Sequence, residues 1–91
     1  KQPRVLGTGV GYAINSAGHV VGTTTEKYME NGSALLWRDG QQLNLNRHID
    51  PTSGWYLVRA RGIDDHGHIV GAGMWGGQIH AVLLTPRASP P

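Results

Sequence analysis

An all-β fold built from two repeats follows from three features of this 91-residue chain. The segment Ala13 to Gly22, AINSAGHVVG, returns 49 residues later as Gly62 to Gly71, GIDDHGHIVG. Ile14, Gly18, His19, Val21 and Gly22 meet identical partners in Ile63, Gly67, His68, Val70 and Gly71, while Asn15/Asp64 and Val20/Ile69 are conservative pairs. Apolar runs are short and punctuated by Gly, Asn, Asp and Pro, and no segment sustains the i, i+3, i+4, i+7 spacing of an amphipathic helix. A recurrence of this length marks architectures in which one supersecondary unit buries its apolar face by stacking on copies of itself.

Each repeat opens with a hairpin, Tyr12 to Ile14 answered by His19 to Gly22, and Arg61 to Ile63 answered by His68 to Gly71. The four-residue turns begin with Asn15 or Asp64, whose side chains can bond the backbone two residues on, and end with Gly18 or Gly67, which tolerate positive φ. The third strand is Ser33 to Trp37 in the first repeat and His80 to Leu84 in the second. Asp39-Gly40 then predicts a two-residue type I′ turn into a fourth strand, Gln42 to Leu45. Repeat two has no such fourth strand, and Arg4 to Gly7 is the segment placed to complete its sheet, within one chain or between chains. Helix is limited to a turn near Thr25 to Asn31 or Leu45 to Ile49.

The expected organisation is one domain over residues 1–86: repeat one at about 5–45, an insertion at 46–55, repeat two at about 56–86, and a disordered tail at 87–91. The expected architecture is two four-stranded antiparallel meanders, set as propeller-like blades or packed as a small sandwich or barrel. Two blades cannot close a propeller ring, so that form needs more repeats or a homo-oligomer.

Composition excludes several function classes. A chain of this size buries only roughly 60 to 65% of its unfolded surface, and without cysteine neither disulfides nor thiolate metal sites can supplement its core. Eight Lys and Arg against six Asp and Glu give a net charge of +2, dispersed along the chain, which is no nucleic-acid footprint. No apolar stretch approaches the length of a membrane span or of a signal-peptide core.

The pattern A-I-N-x-x-G-x-V-V-G followed by a glycine-bearing linker and S-A-L-L-W-x-x-G resembles the HAF repeat of predicted secreted and cell-surface bacterial proteins, named for a His-Ala-Phe tripeptide. The signature stands here as Ser33-Ala34-Leu35 and His80-Ala81-Val82, and the resemblance runs from Val5 to the closing L-L-T-P at Leu83 to Pro86. Both copies lack the phenylalanine. The resemblance implies a β-repeat, propeller-like blades and an extracellular or cell-surface location in the bacterial envelope, and it implies no catalytic residue.

Candidate chemistry is sparse. His66-Gly67-His68 beside Asp64 and Asp65 carries ligand types suited to zinc or nickel, but His19 and His68 fall at equivalent strand positions of separate hairpins, so no metal site and no cofactor is expected. Adjacent Asp64 and Asp65 point to opposite sides, which does not suit two carboxylates flanking one glycosidic bond. The Asn31-Gly32-Ser33 sequon is equally a turn.

The aromatics carry the functional expectation. Trp75 lies in the glycine-rich stretch Gly73 to Gly77 and Trp55 in the insertion, and loop aromatics on a rigid β scaffold are placed for ligand contact. Tyr56, Arg59 and Arg61 follow, the two arginines being two apart and so expected on one strand face. The expected function is a non-enzymatic, secreted or surface-exposed module that binds protein or glycan through Trp75, Trp55, Tyr56, Arg59 and Arg61. The alternatives are a fragment of a larger propeller-type hydrolase and a purely structural repeat without ligand.

Overall fold

The computed structural model describes residues 2–25 and 32–86, so the expectations for a turn at Thr25 to Asn31, for the sequon asparagine and for the tail lie wholly or partly outside the described residues. The protein is all-β. Strands β1 (Val10–Ile14), β2 (Val20–Thr23), β3 (Ala34–Arg38) and β4 (Gln41–Asn44) form one antiparallel sheet in sequential order. A 3-10 turn, Leu45–His48, leads to β5 (Tyr56–Ile63), β6 (Ile69–Trp75) and β7 (Gln78–Leu84), which form a second, three-stranded sheet. The sheets do not close into a barrel or a propeller ring.

Turn chemistry sets the hairpins. Asn15 Oδ1 accepts from the amides of Ala17 (3.1 Å) and His19 (2.9 Å), and Asp64 Oδ1 accepts from His66 (2.9 Å) and His68 (2.8 Å), the same arrangement one repeat later. Gly18 and Gly67 close these turns at φ of 82° and 84°. Asp39 and Gly40 both take positive φ, 51° and 77°, as a type I′ turn requires. Gly76 and Gly77, at 61° and 77°, make a second two-residue turn of this kind between Trp75 and Gln78.

Bulges account for the repeated glycine. Register slips between Gly11 and Ala13 and between Ala60 and Gly62, so Tyr12 and Arg61, 49 residues apart like Asn15 and Asp64, are each the extra residue of a bulge. The bulged strand bends its backbone toward its neighbour. A Cβ on Gly22 would meet the carbonyl oxygen of Val10, and one on Gly71 the carbonyl oxygen of Arg59. Only glycine fits either place.

The core forms where β5 packs across β1, β2 and β3. Val21, Ala34, Leu36 and the 3-10 turn's Leu45 meet Leu57, Ala60 and Ile69, all buried. Each such large side chain contributes about 1.5–3 kcal/mol by leaving water. A second bulge in β5, at Val58, leaves its carbonyl to accept from Oγ1 of the fully buried Thr23 at 2.8 Å. Asn15 Nδ2 donates to the Asp64 carbonyl (3.0 Å), the Ser16 amide to Asp65 Oδ1 (2.8 Å), and the Arg61 guanidinium sits 4.5 Å above the Tyr12 ring. Asn46 pairs with Leu57 as a strand residue would, donating to its carbonyl and accepting from its amide.

Two strand expectations are corrected. Residues 4–7 form no strand and do not complete the second sheet. Gly7 and Gly9 take φ of 154° and 134°, far from strand values, and lay the backbone over Trp37 and Leu35, where a Cβ on Gly9 would lie 3.1 Å from Leu35 Cδ1. This is why β3 is buried on both sides. The second correction is that β5 begins at Tyr56 and β6 runs on to Trp75, so Trp75 ends a strand and does not lie in a loop.

Candidate functional site

The two tryptophans singled out from the sequence, 20 residues apart, come together. Pairing of Gly73 with His80 and of Trp75 with Gln78 puts Gly73, Trp75 and His80 on one side of the second sheet. The Trp55 ring lies over Gly73, whose would-be Cβ is 3.2 Å from Trp55 Cε3; glycine leaves the floor on which the ring rests. Ring centroids of Trp55 and Trp75 are 6.2 Å apart with planes tilted by 32°, and Trp55 meets His80 edge-on at 5.6 Å. His80 Nε2 is 3.2 Å from the Trp75 carbonyl, which fixes the imidazole. Trp55 remains 37% and Trp75 51% exposed, so each ring presents surface to solvent.

A groove of about 420 Å³ runs from Trp55 past Leu57 along residues 81–84, with Asp50 and Ser53 in its wall. Asp50 accepts from the amide (2.9 Å) and hydroxyl (2.7 Å) of Thr52. These bonds, the hydroxyl's first, hold its carboxyl below the ordinary carboxylate range, leaving an ionised acceptor beside the aromatic surface.

The other predicted residues do not join this cluster. Tyr56 shares a hydrogen bond between its hydroxyl and Ser33 Oγ. Arg59 is half-buried, and its Nε has no hydrogen-bond partner. Arg61 is exposed and stacks on Tyr12 toward the other end of β5. The expectation that Arg59 and Arg61 share a face is thus corrected: the bulge at Arg61 interrupts the alternation on which it rested. His80 and Asp50 were not singled out from the sequence. His80 had a legible signal, since the Gly76-Gly77 turn sets it opposite Gly73, whereas Asp50 had none.

Among the described residues no group of three or more His, Asp or Glu side chains is placed to hold a metal. His68 Nδ1 lies 2.9 Å from Asp64 Oδ2, and the remaining Asp64 bonds belong to the turn. Asp64 is held below its ordinary pKa first by the His68 amide, and Asp65 first by the Ser16 amide. A depressed folded pKa gives stability that is complete above the unfolded value, 3.8, and is lost as pH falls through the lower folded value. The fold is therefore expected to lose stability below about pH 4. Asn15 makes the same turn without charge, so Asp64→Asn should fold normally at pH 6 yet show a shallower fall in Tm between pH 5 and 2. Thermal melts by circular dichroism across that range check this, and an acid profile identical to wild type would show that Asp64 is not among the groups responsible.

No protein-family model, no curated protein and no solved structure matches this chain. Among the described residues no helix is long and apolar enough to cross a membrane.

Proposed function

We propose that this is a non-enzymatic glycan-binding module whose contact surface is the Trp55–Trp75–His80 cluster and the groove beside it. The observation that carries this reading is the convergence of two part-exposed indole rings, at 6.2 Å, on the end of a sheet with a carboxylate nearby. Sugars present apolar C–H faces and hydroxyl edges together. Exposed indoles take the faces, and Asp50 with His80 takes hydroxyl hydrogen bonds, which are stronger where the acceptor is charged. The HAF-like pattern of the sequence supports an extracellular or cell-surface setting, where glycans are the abundant ligands.

The test is a glycan array followed by calorimetry on any sugar retained. Saturable binding weakened tenfold or more by Trp75→Ala, which corresponds to about 1.4 kcal/mol, is the expected result, with a comparable loss for Trp55→Ala. Both residues lie largely outside the core, so the variants should keep wild-type melting curves. An array without signal, or binding that survives both substitutions, overturns the proposal.

A further inference from the structure

The second sheet carries an uncovered copy of the face on which it is itself docked. Val70 pairs with Leu83 in the way that Val21 pairs with Leu36, and Ala72 with Ala81 as Thr23 with Ala34. In the first sheet these four positions are buried beneath β5. In the second, Val70 is 50% and Leu83 62% exposed, and Ile79, further along the same side of β7, is 57% exposed. A shallow hollow of about 500 Å³ marks the place, with Gly62, Val70 and Leu83 in its lining. Contiguous apolar surface on a sheet face of a small protein marks a contact.

The side of the first sheet turned away from the core carries the complementary half. Ile63 and Ile69 of the second sheet pack into the core, and their repeat equivalents in the first sheet are Ile14, 66% exposed, and the half-buried Val20. Each chain therefore has an open face of the accepting kind and, at Ile14 and Val20, the uncovered part of an inserting face whose Leu35 and Trp37 already lie beneath residues 7–9. From this we infer that the Val70/Leu83 face binds a second copy of this chain, head to tail, through the Ile14/Val20 side of that copy's first sheet.

The internal junction is the template for the contact, and the partner is fixed by the repeat: a sheet of the same type, entering with its first strand. Gly9 and Gly11 stand where β5 has Val58 and Ala60, so the contact between copies buries less apolar surface than the internal one and association depends on concentration. A head-to-tail contact is heterologous and continues into a ring or a filament. By strand alternation Val70 and Leu83 are on the opposite side of the second sheet from Trp75 and His80, although Leu83 also lines the groove beside that cluster, so Val70→Arg is the variant that separates this contact from the glycan reading.

The test uses light scattering coupled to size exclusion over a hundredfold range of protein concentration. Wild type should rise above the 9.8 kDa chain mass with concentration. Val70→Arg blocks the accepting face and Ile14→Arg the inserting one, and each alone should remain monomeric. An equimolar mixture of the two retains one intact junction and should give a dimer that grows no further. Both sites are at least half exposed, and circular dichroism confirms folding; Leu83→Lys repeats the accepting-face test from β7. A wild type monomeric at every concentration overturns the inference. So does an Ile14→Arg variant that associates as wild type does, because that outcome requires a symmetric contact.

Discussion

Gly71→Ala is expected to remove about 3 kcal/mol or more of stability, and the double variant Gly22→Ala/Gly71→Ala to leave no cooperative unfolding transition. The added methyl at residue 71 would overlap the carbonyl oxygen of Arg59 and approach Ala60 Cα to 3.0 Å; at residue 22 it would overlap the Val10 carbonyl and approach Gly11 Cα to 3.0 Å. These neighbours are backbone, so no side chain can rotate away. Relief requires separating β5 from β6, or β1 from β2, at the bulge that bends each pair together. Overpacking of this kind costs about 1–3 kcal/mol and occasionally more, against a total of about 5–14 kcal/mol for a domain of this length. Gly40→Ala is the control, because a Cβ there meets nothing within 4 Å and only the positive φ is penalised. Urea titrations by circular dichroism measure all three. A Gly71→Ala variant within about 1 kcal/mol of wild type would mean that the bulge shifts along the strand to absorb the methyl.

The same glycine shows what a sequence makes legible. Its recurrence at 22 and 71 was plain, and so were the hairpin turns, because Asn15, Asp64, Gly18, Gly67, Asp39 and Gly40 determine their conformation within a few residues of themselves. The reason for Gly22 and Gly71 was not, because it depends on a bulge in the neighbouring strand. Bulges are set by register across a pair, and no composition signal announces them at Tyr12, Val58 or Arg61. That gap misdirected the reading of Arg59 and Arg61, where strict alternation was assumed. The placement of residues 4–7 failed for a related reason: they precede the first hairpin as Gln42 to Leu45 precede the second, which suggested a fourth strand, but Gly7-Thr8-Gly9 has so little side chain that it lies against Trp37 and Leu35 more readily than it pairs. Trp55 and Trp75 were legible as candidate contact residues but not as neighbours. What brings them together is Gly73, whose part in the site is to have no side chain.

Leu36→Ala and Leu83→Ala make the largest paired contrast. The two leucines occupy equivalent repeat positions, each opposite a valine of the preceding strand, so sequence alone predicts equal effects. Leu36 is 7% exposed beneath β5, and its truncation is expected to cost about 2–4 kcal/mol from lost burial and residual cavity. Leu83 is 62% exposed, and in dilute solution its truncation should fall within about 0.5 kcal/mol of wild type. The difference isolates environment from residue identity, because the side chain, the strand position and the cross-strand neighbour are the same. Raising the protein concentration changes the second value and not the first. Any contact that covers Leu83 stabilises the folded chain by mass action, so the Leu83→Ala penalty should grow with concentration while the Leu36→Ala penalty stays fixed. Chemical denaturation at two concentrations a hundredfold apart reads this directly. A Leu83 penalty equal to that of Leu36 at the lower concentration would mean that the face is already covered within a single chain. A penalty near zero at both would mean that no copy of the repeat engages it.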